Sequence, residues 1–72
     1  MAPTMRPVQS SSVALIGYDE PAEELHVRFH DSDVTYVYFD VPPIVFENLE
    51  RAPSKGRFVN TVVKPRYPCH RL

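Results

Sequence analysis

Proline is what most limits the folds open to this chain. Eight prolines and only two glycines fall within 72 residues. Each proline fixes its own φ and removes a backbone donor. The prolines cut the sequence into short pieces, so the fold must be assembled from several small elements. At 8.3 kDa there is room for one core and one domain. Hydrophobic residues make up 43% of the chain, enough to pack that core and too many for a disordered tail. A single cysteine, Cys69, excludes an intramolecular disulfide, and no Cys/His set has the spacing of a structural zinc site. Domains this small are marginal without such staples, which keeps self-association open.

Between the prolines, two periodicities alternate. Residues 1–9 hold Pro3, Pro7 and few large apolar groups, and read as a flexible lead-in to a single domain at 10–72. A strand is expected at about Ser11–Tyr18, with Val13, Leu15 and Gly17 on one face. The polar stretch 19–23 turns the chain. Glu24–His30 then alternates in period 2, with Leu25, Val27 and Phe29 facing the core and His26, Arg28 and His30 facing solvent. Asp31-Ser32-Asp33 has turn chemistry. Val34–Phe39, rich in β-branched and aromatic residues, gives a third strand, in which Tyr36 and Tyr38 share a side and read as core, the alternative being an exposed aromatic pair on which bases stack. Short links between the three favour an antiparallel meander.

Helical spacing begins after Pro42-Pro43, since proline suits a helix's first turn. Val45, Leu49 and Ala52 define a helix at 43–52 that Pro53 ends. Ser54 then caps a second at 55–63, with Phe58, Val59, Val62 and Val63 on one face, stopped by Pro65. Residues 66–72 are expected to be extended. The fold class expected is α+β: a three-stranded antiparallel β-meander packed against two short C-terminal helices. The core expected comprises Val13, Leu15, Leu25, Val27, Phe29, Tyr36, Tyr38, Val45, Leu49, Ala52, Phe58 and Val62. Two short helices cannot cover both sheet faces, so apolar surface around Val37 and Phe39 is expected to stay open.

The ordered set of residues also matches a known pattern. It runs from Ser11-Ser12-Val13 and Ile16-Gly17-Tyr18-Asp19 through Leu25-x-Val27-x-Phe29 to Tyr36-Val37-Tyr38 and Val41-Pro42. It continues through Leu49 and Ala52 to Ser54-Lys55-Gly56-Arg57-Phe58-Val59-Asn60, and closes with Tyr67-Pro68. Over roughly residues 6–72 the chain resembles the KTSC family, a short domain found at the C-terminus of some lysyl-tRNA synthetases and as small stand-alone bacterial proteins. It departs from that pattern at Asp31-Ser32-Asp33, where a glycine-containing turn is usual, and at Cys69, where an aromatic is common. The resemblance implies no established activity. RNA binding is a suggestion that rests on the synthetase association.

Charge is sharply divided. Residues 1–50 hold two arginines against nine acids, a balance of −7, whereas residues 51–72 hold six basic residues and no acid, a balance of +6. Such a segment could contact RNA, tRNA-like or otherwise, or another polyanion; equally, it could neutralise the acidic sheet. The site residues this reading selects are Ser54, Lys55, Gly56, Arg57, Lys64, Arg66 and Tyr67. Within them, Ser54-Lys55-Gly56 could offer an anion the free N–H groups of a helix start, or Gly56 could simply permit tight packing. Catalytic chemistry is poorly supplied. His26 and His30 stand roughly 13 Å apart at strand rise, too far to share a metal. Cys69 falls in the last segment, away from any formed pocket, and the carboxylates fall in turns. The expectation is therefore a small binding module, with no cofactor and no catalytic residues, in a soluble cytoplasmic protein without a membrane segment. It binds nucleic acid through the basic C-terminal segment or, alternatively, a protein partner or a second copy through the open sheet face.

Overall fold

The alternating stretch at Glu24 forms the central strand of a sheet wider than the periodicity suggests. The computed structural model describes residues 3–72; Met1 and Ala2, part of the expected lead-in, lie outside the described residues. The sheet has five antiparallel strands in sequence order: β1 Arg6–Pro7, β2 Val13–Asp19, β3 Glu24–Phe29, β4 Thr35–Tyr38 and β5 Cys69–Arg71. Helix α1 spans Pro43–Arg51 and helix α2 spans Lys55–Phe58. A π-helical turn, Val59–Val63, continues directly from α2, and its wider hydrogen bond runs from Lys64 N–H to the Val59 carbonyl.

The expected α+β class, the meander and the two helices are therefore present, and the strand count is corrected from three to five. Both additional strands are too short for a period of two to be read from them. β1 is two residues, one of them Pro7, which an edge strand tolerates because it lacks a neighbour on one side. It is tied to α1 by an ion pair between Arg6 and Glu50, and the Arg6 guanidinium lies over the Phe46 ring. β5 is drawn onto β4 by bonds from Phe39 N–H to the Pro68 carbonyl and from Leu72 N–H to the Thr35 carbonyl. Part of the expected lead-in is thus structural.

A bulge explains the main error in the expected core. The register between β2 and β3 shifts between Val13 and Leu15. That extra residue turns Val13 and Ile16, rather than Val13 and Leu15, toward the helices. Val13, Ile16, Leu25, Val27, Tyr38, Val41, Leu49, Val59 and Val63 make the buried cluster, and Phe29, Tyr36, Val45, Phe46, Phe58 and Tyr67 pack around it. Leu15 joins Arg28 and Thr35 on the opposite face.

That opposite face is more closed than expected. His26, expected to face solvent, is 5% exposed, and Val37, expected to lie open, is 3% exposed. The row runs Gly17–His26–Val37–His70 across four strands. The segment preceding β1 covers its end, because a Cβ on Gly17 would stand 2.8 Å from Met5 Sδ and 2.9 Å from the Thr4 carbonyl. Glu24 lies 3.4 Å from His26 Nε2. Phe39 is half-buried, and among the described residues the exposed large apolar side chains are Ile44 and Leu72 instead. Among the described residues no helix is long and apolar enough to cross a membrane.

Val41 anchors the passage from sheet to helix. Its N–H donates to the Glu23 carbonyl, and the Tyr18 hydroxyl donates to its carbonyl at 2.5 Å. Glu23 holds a left-handed φ of 54° to present that carbonyl, a conformation that disfavours ordinary side chains. The Tyr18 ring stacks on Phe46 of α1, with centroids 4.9 Å apart. Burial raises the Tyr18 hydroxyl above its ordinary pKa, with the charges of Glu23, Glu20 and Asp19 adding to the shift. Tyr18→Phe leaves the stack but orphans the carbonyl of a fully buried residue. The expected loss is about 1–2 kcal/mol in denaturant melts, with faster hydrogen exchange concentrated in α1.

Candidate functional site

Ser54, Lys55 and Gly56 are spent on folding. The Ser54 hydroxyl accepts from Arg57 N–H at 3.3 Å and so caps α2. The Lys55 ammonium donates to the carbonyls of Glu50 at 3.0 Å and Ala52 at 2.6 Å. It satisfies the C-terminal carbonyls of α1, groups that a helix end leaves without partners. Gly56 is buried, and a Cβ there would collide with Ser12 Oγ and stand 3.3 Å from Ser12 Cβ. This glycine lets the helical segment rest against the start of β2, the packing alternative already raised by its position.

Nor do the seven residues selected from the sequence form one cluster. Ser54 and Arg57 line a shallow depression with Pro53 and Thr61 at the α1–α2 junction. Lys64, Arg66 and Tyr67 belong to the other end of the helical segment, seven or more residues along, roughly 10 Å of helix rise. Lys64 and Arg66 are exposed, and Tyr67 is half-buried against the core with its N–H on the Val63 carbonyl.

What does converge lies at the Lys64 end. A cleft of about 480 Å³ opens between the π-helical turn and the Phe29 end of the sheet. Asn60 and Lys64, four residues apart, form its helical wall; Phe29, Tyr36 and Tyr38 form its aromatic floor; Ser11, Ser12, His30 and Asp31 form its rim. Phe29 and Tyr36 meet edge to face with centroids 5.8 Å apart. The Lys64 ammonium stands 5.4 Å from the Phe29 centroid, and the Arg71 guanidinium 5.8 Å from that of Tyr36. Cations at this range are attracted to the negative ring face. His30 Nε2 is 3.0 Å from the Ser10 carbonyl, an acceptor, so this nitrogen carries the proton. Burial pushes the Tyr38 hydroxyl up to about 12, with Cys69 and then Tyr36 adding to the shift. The phenol is therefore neutral at physiological pH.

Sequence reasoning singled out Lys64 and weighed Tyr36 as a stacking residue, but it missed Asn60, Ser11 and Ser12. The usable signal was Asn60 and Lys64 at a spacing of four on a helix whose Val59 and Val63 are core. The sequence pattern puts His30 at a strand end and Asp31 in a turn, and the meander brings both to the cleft. Among the described residues, no three His, Cys, Asp or Glu side chains stand close enough to hold a metal ion.

A five-stranded meander backed by a short helix and a helical arm, with one aromatic, cation-edged cleft, defines a small α+β domain. The model of the KTSC domain matches residues 9–67. The chain belongs to that family. In the crystal structure of a KTSC domain protein from Yersinia pestis the same fold recurs, with a TM-score of 0.91, 37% identity and 99% of each chain covered. A protein from Tsukamurella paurometabola is 49% identical over 63 residues, 88% of this chain and 92% of that one. A lysine–tRNA ligase from Nostoc punctiforme is 36% identical over 70 residues; the match takes in 97% of this chain but spans only 12% of the ligase.

The Gly56–Ser12 contact makes a direct prediction. Gly56→Ala forces a methyl group onto Ser12, and the expected cost is about 1–3 kcal/mol in thermal or denaturant melts. Ser12→Ala removes the closest atom, so the double variant should recover a substantial part of that loss. Equal losses in the single and double variants would show that the contact is not the cause.

Proposed function

We propose that this domain is a non-enzymatic RNA-binding module whose contact surface is the Lys64 end of the molecule. One observation carries the reading. Among the described residues, none of the six basic side chains of residues 51–72 has a carboxylate within 4.0 Å. The alternative use of this charge, neutralising the acidic part of the chain, therefore lacks its partners. Lys55 is consumed by helix carbonyls, while Lys64 and Arg71 stand over aromatic rings at the cleft. Uncompensated cations interleaved with aromatic faces are what a flexible polyanion with stackable bases requires. The match to part of a lysine–tRNA ligase supports RNA as the polyanion. Arg66 and Tyr67 flank the same end and extend the contact along the backbone. The net charge of −1 makes binding local rather than a property of the whole surface. The alternative, a protein-interaction or homo-oligomerisation module on the helix-free face, is less well supported because Val37 is buried.

Fluorescence anisotropy of labelled tRNA and of single-stranded RNA over a salt series tests this reading. Affinity should fall steeply with salt. Replacing Lys64, Arg66 and Arg71 together by Ala should weaken binding by about tenfold or more and reduce the salt slope by roughly two units. Arg51→Ala, on α1, should change little. Absence of salt-dependent binding, together with concentration-dependent sedimentation, would favour the protein-interaction alternative.

A further inference from the structure

The cleft differs from the charged surface around it in being built of three kinds of group. Phe29 and Tyr36, set edge to face, offer aromatic surface beside the cations that already stand over one face of each ring. Asn60 carries an amide that both donates and accepts, the only neutral group on the helical wall able to meet a base edge with both functions. Lys64 brings an ammonium with no carboxylate within 4.0 Å among the described residues. Hydroxyls of Ser11 and Ser12 and the Asp31 carboxylate complete the rim. A volume of about 480 Å³ falls within the ~300–1,000 Å³ typical of small-molecule sites. That is room for one nucleotide and not for a paired helix.

We infer that the cleft takes a single unstacked nucleotide, with its base against Tyr36 and Phe29 and within reach of Asn60, and its phosphate on Lys64. This rests on the RNA-binding reading and deepens it, by making one nucleotide of the bound strand a base-reading contact while Arg66 and Arg71 hold the backbone. The chemistry of the walls divides accordingly. A flat heteroaromatic ring is the ligand that two aromatic side chains and an amide can hold together. An inorganic anion would use Lys64, the Asn60 amide N–H or the serine hydroxyls and leave the aromatic floor idle. Asp31 disfavours a phosphate at its own side of the rim, and its carboxylate can accept from ribose hydroxyls. That asymmetry orients the sugar toward Asp31 and the phosphate toward Lys64. The π-helical turn contributes as well, since Asn60 lies within it and the Lys64 N–H closes its wide hydrogen bond, a feature often found at functional sites.

Saturation-transfer NMR on the full chain with each of the four nucleoside 5′-monophosphates tests the inference, with inorganic phosphate as competitor. The expected result is strongest saturation on base protons for at least one of the four. Excess phosphate should reduce that signal without abolishing it. Asn60→Ala, at an exposed position, and Tyr36→Leu, which keeps an apolar side chain but removes the ring face, should each weaken binding by roughly fivefold or more. Saturation confined to the ribose, complete displacement by phosphate at equal concentration, or unchanged binding in both variants would each overturn the inference. The same variants in the tRNA anisotropy assay separate the two claims. If tRNA binds both variants as it binds the parent and no base proton is saturated, the nucleotide cleft is wrong while the RNA reading stands. If base protons are saturated and sensitive to both variants but tRNA shows no salt-dependent binding, the cleft stands as a nucleotide site and the RNA reading fails.

Discussion

The helical arm of residues 55–63 can lie where it does because Gly56 has no side chain. The Ser12 side chain occupies the space a Cβ would need, so the start of the arm packs directly on that serine. From that contact the rest of the arm follows. Val59 and Val63 drop into the core, and the positions next to them, Asn60 and Lys64, are left over the Phe29 end of the sheet. Lys55 ties the start of the arm to the last carbonyls of α1, fixing the angle between the two helices. One missing methyl group thus connects the fold to the cleft.

Charge and aromatic placement then acquire a common cause. The five strands are ordered by sequence, so the basic C-terminal segment is delivered to the β4 edge, where β5 pairs with it. Register sets Arg71 opposite Tyr36, and the guanidinium reaches the ring. The acidic residues of the turns and α1 are therefore not neutralised by the basic segment. Arg6, from the other end of the chain, supplies the ion pair that α1 makes. A domain with almost no net charge can in this way present one cationic end.

Much of this was legible in the amino-acid order, for identifiable reasons. The alternation at Leu25, Val27 and Phe29 located β3, and the helical spacing of Val45 and Leu49 located α1. Proline 53 and Ser54 separated the two helices, and Gly56 could already be read as a packing residue. Three things were hidden. A bulge in β2 changed which of Leu15 and Ile16 faces the helices, and no local pattern marks where an extra residue will be accommodated. β1 and β5, at two and three residues, form only because an existing edge offers them partners. His26 and Val37 are buried on the helix-free face, where the residues around Met5 close over the neighbouring Gly17, a tertiary effect that alternation cannot carry. At the candidate site the basic residues were visible as a composition shift. Their division between capping, at Lys55, and an open cleft, at Lys64, depends on the folded geometry.

The central claim is that RNA meets this domain at the Lys64 end and nowhere else. A ¹⁵N–¹H chemical-shift map of the full chain, titrated with a short single-stranded RNA at low salt, addresses it most directly. The account predicts that perturbed amides cluster at Ser12, His30, Tyr36, Asn60, Lys64, Arg66 and Arg71, and that they return to their free positions as salt is raised. Perturbations centred on Ser54 and Arg57, on the His26–Val37 face, or absent altogether would contradict it.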